Sequence, residues 1–152
     1  MDLLKNKYVI LELIPTSISK DKGVLVQLSA LKLDGIKLLD RFDYRLKEEE
    51  VPLSDFIDMC SYDKEAFVYL DDTDLILDKF KEWVEDLPLL IMDNIYTRNY
   101  LSDISNLKES IFDYLEIDNT DDAIEKMISK FNLEPSNYIV DLLYEALIQK
   151  ID

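Results

Sequence analysis

A chain of 152 residues, 48% of them hydrophobic, carries 33 acidic and 17 basic side chains and a formal net charge of −16. That length suits one domain, 1–152, burying about 70% of its unfolded surface. The charge disfavours direct nucleic-acid binding, which rests on Lys and Arg contacts to phosphates. The chain contains no histidine, which excludes Ser-His and Cys-His nucleophile pairs, a histidine base and histidine-ligated zinc.

Cys60 is the only cysteine, so no internal disulfide can form and a reducing compartment is expected. The apolar run at 8–14 is short and interrupted by Glu12, so no signal peptide is expected. No stretch approaches the length needed to span a membrane. Together these point to a cytoplasmic protein with no membrane partner. Acidity of this degree commonly serves solubility, and otherwise implies a basic partner or mimicry of nucleic acid.

Residues 8–46 read as three strands, Tyr8 to Leu13, Val24 to Leu33 and Ile36 to Leu46. Asp34-Gly35 between the last two predicts a hairpin with a type I′ turn. Phe42, Tyr44 and Leu46 alternate with Arg41, Asp43 and Arg45, the period-2 pattern of a half-buried strand. Residues 47–53 form a charged connection, and a short helix is expected over Ser54 to Met59. Asp71-Asp72-Thr73 opens a helix, with acidic residues favoured near its positive end. Ile76, Phe80, Trp83, Val84 and Leu87 recur on one face of it, and Pro88 stops it. Trp83 reads as packing, not as a stacking platform for a ligand. Leu89 to Met92 is a short, wholly apolar run consistent with a buried strand.

Asn106-Leu107-Lys108-Glu109 has capping-box spacing and predicts a helix running through Leu115. A further helix is expected over Thr120 to Phe131, with Ile124, Met127, Ile128 and Phe131 on one face. The acidic stretch from Glu116 to Glu125 reads as solvated surface. Ser136 is a candidate N-cap for a last helix whose stripe is Ile139, Leu142, Leu143, Ala146 and Leu147. Two glycines in the whole chain argue against Gly-rich phosphate loops.

The order of these stretches resembles the DnaQ-like (DEDDh) 3′–5′ exonuclease family, which includes DNA polymerase III epsilon-like proofreading subunits. Ser29-Ala30-Leu31-Lys32-Leu33 stands where that family has Gly-Ala-x-Lys-Leu, and Asp40-Arg41-Phe42 follows the hairpin. Met59 to Glu65 falls where Leu-Thr-Gly-Ile-Thr-x-Glu is usual, with Ser61 replacing the glycine. Ala123 to Leu133 resembles the helix before the family's final motif. The resemblance implies an α/β, ribonuclease-H-like exonuclease fold with a central mixed sheet flanked by helices.

The resemblance also implies four carboxylates and a base, and most of these are replaced. Glu12 sits at the first Asp position and Ile14 where the bridging Glu belongs. Arg98 or Thr97 falls at the middle Asp, and Asp93 stands five residues earlier. With Asp141 aligned to the last Asp, Ser136 takes the place of the His. A sister subgroup has Tyr four residues before that Asp, where this chain has Asn137, with Tyr138 one residue later. Glu12 and Asp141 are therefore remnant metal ligands, and no catalytic set is complete. Two-metal hydrolysis needs several carboxylates around Mg²⁺. The expected function is a catalytically inactive exonuclease-like pseudoenzyme that binds another protein, one with a basic surface, with no cofactor. One alternative is an acidic nucleic-acid mimic that inhibits a nuclease or a DNA- or RNA-binding protein, as phage-type inhibitors do. The other is a Mg- or Mn-dependent 3′–5′ exonuclease with rearranged ligands such as Asp93.

Overall fold

The structure, a computed structural model, describes residues 5–15, 25–45, 73–134, 136 and 139–151. The expected helix at Ser54 to Met59, the 59–65 segment, Cys60, Asn137 and Tyr138 lie outside the described residues. β1 (Lys7–Pro15), β2 (Leu25–Asp34) and β3 (Lys37–Arg45) form an antiparallel meander. α1 (Thr73–Val84) then leads to β4 (Leu89–Ile91), which runs parallel to β1. α2 (Ile95–Tyr100) precedes β5 (Lys108–Ser110), parallel to β4. α3 (Ile111–Leu115), α4 (Ala123–Phe131) and α5 (Ile139–Ile151) follow. The sheet order is β3-β2-β1-β4-β5. This is the mixed sheet flanked by helices that the resemblance implies.

β1 is central, and eight consecutive residues of it are buried. Its period of two divides the core. Val9, Leu11 and Leu13 pack with Ile76, Phe80 and Val84 of α1 and with Tyr100 of α2. Tyr8 and Ile10 pack on the other face with Phe112, Met127, Leu143 and Leu147, from α3, α4 and α5. Each such fully buried side chain contributes roughly 1.5–3 kcal/mol. The stripes predicted for α4 and α5 face this second layer. No helix among the described residues is long and apolar enough to cross a membrane.

The meander carries its expected alternation. Phe42 and Tyr44 pack toward α1, while Arg41 and Asp43 face solvent. The turn differs from expectation. Asp34 pairs with Lys37, so Gly35 and Ile36 are the central residues. Only Gly35 has positive φ, at 62°. That sign pattern belongs to a type II′ turn, which needs glycine at its first central position alone. A register shift between Lys32 and Leu33 precedes the turn.

The helix ends also differ. α1 stops at Val84, before Pro88, because Glu85 turns left-handed at φ 55°. Glu116 and Asn132 end α3 and α4 in the same region. A left-handed residue frees the chain from the helix, and glycine normally takes that place. The helix predicted from Asn106 is the largest correction. Residues 108–110 are β5, and the helix begins only at Ile111. The Asn106 side chain, expected to cap that helix, instead donates to the carbonyls of Glu85 and Leu87.

Candidate functional site

Glu12 lies on the face of β1 that looks toward α5, in register with Ser29 of β2. It is fully buried. Its Oε1 accepts the side-chain N–H of Gln27 at 2.8 Å and the backbone N–H of Ile139 at 3.1 Å. Ile139 is the first residue of α5, so the carboxylate sits at the positive end of that helix, where negative charge is favoured. Gln27 itself pairs with Ile14 across the β1–β2 ladder.

Asp141, in the first turn of α5, turns elsewhere. Its two oxygens take the guanidinium of Arg41 from β3, Oδ1 at 2.7 Å from Nη1 and Oδ2 at 3.4 Å from Nη2. Asp43 contacts the same guanidinium through Nε. Burial pulls the Arg41 guanidinium down, but Asp141 and Asp43 outweigh it and hold it above its ordinary value. Glu12 and Asp141, the two expected metal ligands, therefore have different hydrogen-bond partners. Among the described residues no three His, Cys, Asp or Glu side chains form a metal-holding group.

At the middle position, Thr97 is buried and Arg98 exposed on α2. Asn94 caps α2, its side-chain oxygen accepting the Thr97 N–H at 2.9 Å. Arg98 donates to Asp93 through Nε, and this hydrogen bond and charge hold the guanidinium above its ordinary value. Ile14 is buried. Ser136 is half-buried.

A cleft of about 290 Å³ opens beyond the carboxyl ends of β1 and β4. Open α/β sheets characteristically bind ligands outside the carboxyl ends of their strands. Ile14, Met92, Phe112 and Ile139 make its apolar walls, and Asp93 and Asp121 stand among its polar lining. Among the described residues no Lys or Arg lines it.

Two residues that organise this region escape the sequence reading. Gln27 and Ser29 are polar residues two apart in β2, so they share one buried face, where Gln27 meets Glu12. That spacing was the available signal for Gln27. Arg41 reads as one exposed member of an alternation, and nothing local announces that it meets Asp141 from 100 residues away.

No family model matches the chain, and no curated protein matches its sequence. Solved structures do match. A crystal structure of SSB/exonuclease I in complex with the inhibitor CFAM aligns at TM-score 0.63 and 11% identity, over 96% of this chain and 41% of the other. A product-bound structure of exonuclease I aligns at 0.62 and 11%, over 97% and 43%. A further exonuclease I structure, whose subject is how processivity is achieved, aligns at 0.62 and 10%, over 95% and 40%. At such identity the likeness is one of fold. The chain has an exonuclease-like fold, consistent with the ribonuclease-H-like class, and spans about two-fifths of those exonuclease I chains.

Proposed function

We propose that this chain is a catalytically silent exonuclease-like domain that works by binding another protein. The observation that carries the reading is the engagement of Glu12 by Gln27 and the Ile139 N–H. A carboxylate oxygen that accepts two such donors is committed to holding α5 against the sheet. The other positions support the same reading. Ile14 is apolar, Arg98 adds a positive charge, and Asp141 is paired with Arg41. Mg²⁺ and Mn²⁺ are hard ions that require several oxygen ligands together, and this donor set does not fit them. The base is missing as well, since the chain has no histidine.

The partner is a protein with a basic surface, and the setting is cytoplasmic. The net charge of −16 supports the first statement and the single cysteine the second. Asp93 and Asp121 in the cleft repel a phosphate backbone.

The test is calorimetric titration with Mg²⁺ and Mn²⁺ beside a degradation assay on a 3′-labelled single strand. The expected result is no stoichiometric metal binding and no degradation. Metal binding with degradation that disappears in Asp141→Ala would overturn the reading.

A further inference from the structure

We infer that the cleft beyond β1 and β4 is the seat for an arginine side chain presented by the partner protein. This rests on the protein-binding reading and specifies the chemistry of its contact. At about 290 Å³ the cleft lies at the small end of ligand sites, sized for a side chain. Its walls are apolar, and among the described residues the charges that line it are carboxylates only.

The two carboxylates are not equivalent. Asp93 already holds Arg98. Asp121 is exposed and has no ion-pair partner among the described residues. The charge left to satisfy at the mouth is therefore negative, so a cation with an apolar stem is complementary to it. Tyr96 and Phe112 add aromatic rings to the lining. A guanidinium is more weakly hydrated than an ammonium, stacks on aromatic faces and forks onto carboxylates, so arginine fits better than lysine. Ile95, between the lining residues Asn94 and Tyr96, is 57% exposed. It offers an apolar footing for the residue next to the inserted arginine. The Asp93–Arg98 pair shows the same chemistry satisfied within the chain.

The probe is an acetylated, amidated Leu-Arg-Leu peptide titrated into the isotope-labelled full chain and followed by amide chemical shifts. Shifts are expected at Asn94, Tyr96, Asp121 and Ile124. The citrulline analogue, which keeps the shape and loses the charge, should bind at least 10-fold more weakly. Asp121→Lys should weaken the arginine peptide by a similar factor. Asp113→Lys, an exposed change outside the cleft lining, should not. Equal binding of the citrulline peptide, unchanged binding to Asp121→Lys, or shifts confined to another surface would each overturn the assignment. Loss of this assignment in a chain that degrades no oligonucleotide leaves the silent-domain reading standing. Degradation of the labelled strand removes that reading whatever the peptide does.

Discussion

The backbone N–H of Ile139 donates to Glu12 Oε1 at 3.1 Å, tying the start of α5 to the central strand across 127 residues of chain. Gln27 shares the same oxygen at 2.8 Å. Glu12→Ala would leave two buried donors unsatisfied, at about 1–3 kcal/mol each. The expected loss of stability is therefore about 2–6 kcal/mol in equilibrium urea unfolding. Glu12→Gln keeps an acceptor oxygen and should lose less than half as much. A loss below about 1 kcal/mol for the alanine variant would mean that α5 is held by packing alone.

Arg41 and Asp141 join β3 to α5, and their side chains are 34% and 37% exposed. Solvent screening limits such a pair, so a double-mutant cycle with Arg41→Ala and Asp141→Ala should give a coupling of about 0.5–1 kcal/mol. The coupling should shrink toward zero near about 1 M salt. A coupling that ignores salt would show that the two substitutions communicate through packing. Neither single variant should gain nuclease activity, because releasing Asp141 supplies one carboxylate and no base.

What the sequence makes legible follows from how far each signal reaches. The meander is visible because Phe42 and Tyr44 alternate with charged residues over several positions; that both turn toward α1 is added by the structure. The stripe in α5 is visible for the same reason at period 3.6. Three-residue strands carry no period, so Lys108-Glu109-Ser110 becomes β5 only through its ladder with β4. The turn is half legible. Gly35 marks the place, but the register that makes it a first central residue is set by the Asp34–Lys37 pair. In the candidate site, the expectation that Glu12, Ile14, Arg98 and Ser136 stand at the ligand and base positions of the resembled family comes from the sequence, residue by residue. What Glu12 and Asp141 do instead does not, because Ile139 and Arg41 lie 127 and 100 residues away from them.

The indole N–H of Trp83 donates to Asp40 Oδ2 at 2.9 Å. That bond, with a second from the Arg41 backbone and the nearby charge of Lys32, holds the Asp40 carboxyl below its ordinary range. A depressed carboxyl adds stability that is present above the unfolded value of about 3.9. It is lost as pH falls through the folded value. In Trp83→Phe the Asp40 midpoint, followed by NMR, should rise toward the unfolded value. Trp83 is the only tryptophan, so its fluorescence in the wild-type chain should change over the same acid range and stay flat in Asp40→Asn. An unmoved midpoint in Trp83→Phe would assign the depression to Arg41 and Lys32.

Tyr100 is fully buried in the layer between the sheet and α1, and burial pushes its phenol up to about 12. An acid whose folded value exceeds its unfolded one favours the native state while it stays protonated. Its contribution is complete below the unfolded value of about 10. It disappears as pH rises through the folded value. Stability of the wild-type chain should therefore fall between about pH 10 and pH 12, and Tyr100→Phe should flatten that slope. The slope is the decisive readout, because the absolute stability of the variant also records the lost hydroxyl. Tyr8, whose hydroxyl donates to the Gly35 carbonyl at 2.8 Å, is likewise raised, first by burial and then by Tyr144. Phenolate absorbance from Tyr8 and Tyr100 should accordingly appear only above the ordinary tyrosine value. Ionisation of both near the ordinary tyrosine value, reached while the chain is still folded, would place both phenols in water and contradict the packing of this core.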